Sequence, residues 1–462
     1  MPSFASLRRL STRRSTPTRS PSATPTIPLE LHFLILDQLI DDIPTLRSLT
    51  LVCLAWASHI QSLLFHRVSV RATTAPRFLS LLSTATHNLG RYVTVLVVRE
   101  TRGAAPVVLA ALSNAAVASR LPNVRALELA YSMLSAAGLH PWRTIRSLTL
   151  HFCCFSSPST MAEFFQAFPK LTRLDVFQCS MTTRDWDSEA AARLLHPTID
   201  WDLEFLAIGA YPQTPLVDWL ASPQVSLSVS RLRIYCVGHD ASAFNALLAK
   251  VGAGLRRLEV PGMRVLRVNA RQGAGIPLCL RPCTALARLD ISDGTPSQLG
   301  GIVLSALGQL RDSGTLTQLS MQMQLKTDYL DAAPWEEIQL AIRDLPHLKS
   351  VSLRLWGGAS SAWVPRRAGP GTLPPFEEAV TLFGRRMPEL EEAGMLRFVD
   401  LDEKERIRLR NTELPVVRAE ETDLQVGRRS PAMSLLRNSR LGSWFMSKRP
   451  QPLGGGIRGS SA

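Results

Sequence analysis

Three places in the chain group side chains that could do chemistry. Asp185-Trp186-Asp187 and Asp200-Trp201-Asp202 each hold two carboxylates one residue apart, a pairing available to general acid and base catalysis. Asp187 is followed by Ser188, Glu189 and an Ala-rich run, so such pairs read more simply as helix caps. His151 lies close to Cys153 and Cys154, all of metal-ligating type, but no second ligand pair follows at zinc spacing, and a strand accounts for them without a metal. Gly454 to Gly459 satisfies the GxGxxG of a phosphate loop, with no strand before it and no helix after it. GxSxG, HExxH and Walker sequences are absent from the chain. The sequence therefore predicts a non-enzyme with no catalytic residue, no metal site and no cofactor.

Function must then come from surfaces, and composition narrows which ones. The chain has 462 residues, 45% of them apolar and 19% charged, which excludes a mostly disordered chain and allows a large core. A net charge of +14 points first to nucleic acid or a membrane surface. Its distribution redirects that reading. Residues 1–26 carry five Arg and no acid, the stretch after Asp423 carries seven basic residues and no acid, and the body between is left at +2. Residues 1–26 and 402–462 are read as disordered basic tails, and isolated tails supply only sequence-independent attraction, so nucleic acid is not the expected partner. A chromatin- or RNA-associated factor acting through the tails is the rival reading. The acid-free N-terminus also has the composition of a mitochondrial transit peptide, against which Pro17, Pro21, Pro25 and Pro28 favour a solvated tail. Seven Cys with no paired CxxC spacing fit a reducing compartment, cytoplasm or nucleus. No apolar stretch is long enough to span a membrane.

The elements that position surfaces are legible from periodicity. Leu31, Ile35 and Leu39 recur at helical spacing, as do Leu46, Leu49, Cys53 and Trp56 after a turn at Asp41, Asp42 and Pro44; Ile60, Leu63 and Leu64 begin a third stripe. Three helices over 27–70 are too few to bury a core unaided, so a partner or the next domain should cover one face. From 71 to 356 the phrase apolar-x-x-apolar-x-apolar recurs ten times, from Val93/Leu96/Val98 to Leu348/Val351/Leu353, at intervals of 21 to 32 residues. That is the period of leucine-rich repeats: a short strand and a helix, stacked into an irregular α/β solenoid with a parallel sheet on its concave side. Alternation turns the residue between the last two anchors outward, at Glu128, Thr149, Asp175, Ala207, Arg233, Glu259, Asp290, Ser320 and Ser352. Of these, Glu128, Thr149, Asp175, Arg233, Glu259 and Asp290 are the candidate contacts to a target protein. After Trp356 the pattern stops. Residues 357–401 read as a Gly/Pro/Ser-rich loop and a terminal cap with a helix over Phe376 to Met387.

The segment from Ile27 to Val68 resembles the F-box, the three-helix module that attaches substrate receptors to the adaptor subunit of cullin-RING ubiquitin ligases. The resemblance rests on Ile27-Pro28-Leu29-Glu30-Leu31, then Ile35, Leu39, Leu46, Val52-Cys53 with Trp56 three residues on, and Leu64-Phe65. Its style is that of basidiomycete F-box proteins. It departs from the pattern in Ile27, where Leu is usual, and in Leu54, where a basic residue often stands. Members often carry leucine-rich repeats, and Cys153 and Cys179 match the cysteine-type repeat of that group. The resemblance implies a substrate-recognition subunit that binds the adaptor, and through it a cullin, by Ile27, Pro28, Leu29, Leu31, Ile35, Leu39, Leu46, Val52, Cys53, Trp56 and Leu64. The solenoid would hold the target protein. A solenoid scaffold outside ubiquitination is the alternative.

Overall fold

The computed structural model describes residues 27–83, 89–101, 107–112, 114–134, 142–182, 199–209, 214–235, 241–261, 278–292, 296–324, 334–356 and 376–400. Across them the protein is mixed α/β, with a large parallel sheet and thirteen helices among the described residues. The chain begins with α1 (Leu29–Asp37), α2 (Ile43–Leu49) and α3 (Leu54–Phe65). The predicted turn at Asp42 is the start of α2, where the carboxylate accepts from the Thr45 amide at 3.2 Å and the Thr45 hydroxyl at 2.7 Å. Pro44 sits in that first turn, where an amide proton would have had no helical partner. Cys53 caps α3, its sulfur accepting from the Trp56 amide at 3.5 Å. The helices close on Leu36, Leu46 and Ile60, with Phe33, Leu39, Leu49, Trp56, Leu63 and Leu64 packed around them.

One residue, His66, separates α3 from β1 (Arg67–Arg71), the first strand of the sheet. The sheet therefore starts inside the span that periodicity assigns to the helical module. The strands follow in chain order, all parallel: β1, β2 (Val95–Arg99), β3 (Ala126–Ala130), β5 (Ser147–His151), β7 (Arg173–Phe177), β10 (Phe205–Gly209), β12 (Arg231–Ile234), β13 (Arg257–Val260), β14 (Arg288–Ser292), β15 (Gln318–Gln324), β16 (Ser350–Trp356) and β17 (Leu396–Asp400). Parallel neighbours need long crossovers. These contain α4 (Ala75–Ser83), α5 (Val107–Leu112), α6 (Ala115–Ala118), α7 (Pro158–Gln166), α8 (Thr214–Ala221), α9 (Ala241–Val251), α10 (Pro296–Leu310), α11 (Trp335–Arg343), α12 (Phe376–Arg386) and α13 (Pro388–Glu392). The longest of them is α10, at fifteen residues. Strand β17 was not foreseen: only the last two anchors of the phrase recur, Leu396 and Phe398 in register with Val351 and Leu353, behind an exposed Ala393, and it pairs with β16 after α12 and α13.

Every one of the thirty residues of the ten phrases is at most 6% exposed. At a typical gain of about 25 cal/mol per Å² of apolar surface removed from water, this stripe, with the helix residues packed on it, holds the sheet together. A second regularity lies in the backbone. The carbonyl just before a strand accepts two amides of the next repeat, as His66 does from Thr94 and Val95, Arg125 from Arg146 and Ser147, and Thr317 from Lys349 and Ser350. The buried thiols belong to this scaffold. Cys153 donates to the carbonyls of Leu129 and His151, and Cys179 to those of Leu150 and Phe177.

Two small sheets accompany the large one. Strands β4 (Met133–Leu134), β6 (Cys154–Phe155) and β8 (Ser180–Met181) form the first, reached through Tyr131, Phe152 and Gln178, which all have positive φ. Side-by-side left-handed residues turn the chain out of the main sheet at three consecutive strands, at a cost of about 1 kcal/mol each. The second joins β9 (Ile199–Leu203) to β11 (Val225–Val229). It corrects the helix-cap reading of Asp200 and Asp202. Both lie on β9, where they accept from the hydroxyls of Ser226 and Ser228 on β11, while Trp201 between them points into the core and donates to the Phe168 carbonyl. Asp185, Asp187, the loop from 357 to 375, the glycine run at 454 to 459 and both basic tails lie outside the described residues.

Candidate functional site

Two surfaces collect the candidate residues. On α1, Phe33 and Leu36 face the small helical core, while Leu31, Leu34 and Ile35 are exposed at i, i+3 and i+4. A helix apolar on both faces is expected to be covered on both. Ile27 and Leu29 extend the stripe to its N-terminal end, and the α2–α3 junction adds Leu51, Val52 and Leu54, at 83%, 59% and 90% exposure. His32 packs edge-on against Trp56, Phe33 stacks on His59 at 4.2 Å, and His59 meets the Asp37 carboxylate at 2.8 Å, so α1 is fixed against α3. Large exposed apolar patches are a general mark of interaction surfaces.

Burial divides the predicted adaptor residues. Ile27, Pro28, Leu29, Leu31, Ile35, Val52 and Cys53 are open to solvent. Leu46 is fully buried in the helical core and is corrected from contact residue to core residue: α2 needs one anchor between α1 and α3, and Leu46 supplies it. Leu39, Trp56 and Leu64 are half-buried and pack on that core. Leu34, Leu51 and Leu54 were missed. Their signal was present, since Leu34 lies three residues from Leu31, but periodicity alone does not say which side of an all-apolar helix faces inward.

The second surface is the large sheet. Glu128, Thr149, Asp175, Ala207, Arg233, Glu259, Asp290, Ser320 and Ser352 stand in one unbroken register across nine strands. The predicted outward row is therefore a physical row. Three of its four acids are tied by neighbouring arginines. Glu128 bonds Arg67 two strands away at 2.5 Å, Glu259 bonds Arg231, Arg233 and Arg257, and Asp290 bonds Arg257 at 2.7 Å and Arg288 at 2.9 Å. Glu259 is only 5% exposed, which corrects its reading as an open target contact. Arg173, Arg231, Arg257 and Arg288 form a parallel row that the sequence reading missed. Each directly precedes a leucine anchor, as Arg-Leu, which is its sequence signature.

Local electrostatics follow burial. Asp175 is pushed up to about 6 by burial, against the pull of Arg173 and Arg233. His151 is held down at about 4 by burial and by Arg99, and its Nδ1 lies buried with no hydrogen-bond partner. Burial also lifts the Cys179 thiol well above its ordinary value. Thiols so placed are poor nucleophiles. Among the described residues no cluster of three His, Cys, Asp or Glu could hold a metal ion, and no helix is long and apolar enough to cross a membrane. No family model matches the chain, and no curated protein is detectably similar to it in sequence.

Proposed function

We propose that the protein is a substrate-recognition subunit of an SCF-type cullin-RING ubiquitin ligase, with α1–α3 as an F-box and the twelve-stranded sheet with its helices as a leucine-rich-repeat solenoid. One observation carries the reading: Leu31, Leu34 and Ile35 on α1, and Leu51, Val52 and Leu54 at the α2–α3 junction, leave apolar area in water on a unit whose own core is closed without them. Such a surface is suited to a partner. The repeat period of 21 to 32 residues and the chain-order parallel strands support the solenoid half.

The mechanism is proximity. Helix α3 passes into β1 through His66 alone, whose carbonyl accepts from Thr94 and Val95 and whose ring meets the Thr94 hydroxyl at 2.7 Å. A stiff joint of this kind holds a bound target at a set distance from whatever the helices dock on. The receptor raises the local concentration of a target lysine at the ligase and makes no bond itself.

The test is a pull-down of purified adaptor by purified protein. Leu31→Ala at a hot spot should weaken retention by about 2 kcal/mol, roughly thirtyfold, and Leu31→Asp should abolish it. Because Leu31 is half exposed, the fold should survive both changes. Failure of the unaltered protein to retain adaptor, or equal retention by Leu31→Asp, overturns the proposal.

A further inference from the structure

The arginine row on the sheet presents positive charge outward, and its acids lie beneath it. Side chains of Arg231, Arg257 and Arg288 are 35%, 29% and 31% exposed, whereas those of their partners Glu259 and Asp290 are 7% and 16% exposed. Arg173 is exposed, and among the described residues no carboxylate lies within ion-pair distance of it; its guanidinium sits over the Phe205 ring at 4.3 Å. Arg231 approaches the same ring at 5.0 Å and Arg233 at 5.6 Å. Five arginines (173, 231, 233, 257, 288) against three acids (175, 259, 290) leave this stretch at +2. The row ends abruptly, because the next two strands place Gln318 and Ser350 in register with Arg288.

We propose that this row is the docking site for an acidic segment of a target protein, its carboxylates meeting Arg173, Arg231, Arg257 and Arg288. Charge complementarity selects the occupant. Five adjacent strands, β7 to β14, at about 4.8 Å each span about 19 Å, the length of six extended residues. The guanidinium groups are already held, by Phe205 below Arg173 and by Glu259 and Asp290 below the others, so little side-chain freedom is lost on binding. Free donors on each fork remain for carboxylate oxygens. An extended peptide crossing the strands matches this line of point contacts better than a nucleic acid, whose bases would find no exposed aromatic shelf on the row, Phe205 being 5% exposed under the arginines. The proposal deepens the receptor reading by naming the chemistry of its target.

The experiment uses the full-length protein and fluorescein-labelled ten-residue peptides, one of Asp and Glu, one of Ser and Gly, with labelled oligo-dT as a third probe. The acidic peptide should bind more tightly than the neutral one and lose at least tenfold in affinity with Arg173→Glu. Arg311→Glu makes the same charge change on an exposed residue after α10 and should leave binding within twofold, which separates the row from the protein's general positive charge, tails included. Thermal melting checks that Arg173→Glu is folded. Acidic-peptide binding that is no tighter than neutral binding, or is unmoved by Arg173→Glu, shows that the arginines only tie strands together. Oligo-dT binding that Arg173→Glu weakens more than it weakens acidic-peptide binding overturns the proposal in favour of nucleic acid. Arg173→Glu should not alter adaptor retention, so failure here and failure of the F-box reading are told apart.

Discussion

The helical module and the sheet use apolar and charged residues in opposite ways. In α1–α3 three residues are fully buried, and leucines such as Leu51 and Leu54 stand in water. In the sheet the apolar phrases are wholly interior, and the outer face is organised by ion pairs that reach across strands, Glu259 binding three arginines. A unit with a minimal core and apolar skin suits the docking role proposed for it. A unit with a long continuous core is complete in itself and can use its face for selective polar contacts.

Stability measurements break this comparison most directly where the two regions differ most. Leu150→Ala, in the sheet core, should cost about 2–5 kcal/mol by denaturant unfolding, while Leu54→Ala should stay within about 0.5 kcal/mol. Equal costs would mean that Leu54 is not the free surface described. The buried, uncharged His151 gives the next largest effect. Its folded-state value of about 4 lies below the ordinary 6.5, so its contribution is full above pH 6.5 and is lost as pH falls toward 4. That loss is on the order of 3 kcal/mol, and His151→Phe should flatten the stability profile between those limits. A profile unchanged by the substitution would show that His151 is solvated. The smallest effect sharpens the account of the face. Glu259→Gln leaves Arg231 and Arg233 with a neutral partner and Arg257 with Asp290 alone, and should destabilise by about 2 kcal/mol, without touching adaptor retention. A loss under about 0.5 kcal/mol would mean that these pairs contribute no more than surface pairs do.

Much of this was legible in the residues. The ten phrases fall on strands because side-chain direction alternates locally, so Leu127 and Leu129 are buried and Glu128 is not. Asp42 and Pro44 marked a helix start for equally local reasons. Strand β17 was harder to read, since its first anchor position is the small, exposed Ala393 and only Leu396 and Phe398 stand opposite the anchors Val351 and Leu353. Asp200 and Asp202 misled because a carboxylate pair looks the same before a helix as on a strand edge, and only β11 as a neighbour distinguishes the two. Leu46 misled for a related reason: spacing identifies an apolar residue without saying whether protein or partner covers it.

The sequence by itself determined where charge resides, with most of the excess in two terminal stretches, which strand residues enter the core, and the three-helix pattern with its F-box resemblance. Those features depend on composition and on spacings within one element. Tertiary structure decided which face of α1 is open, and it decided that Arg231 and Arg233 of β12 join Arg257 on Glu259 of the adjacent β13. The partners in that cluster lie up to 28 residues apart in the chain. Only parallel register, set by burial of the apolar phrases on the opposite face, brings them within reach of one carboxylate.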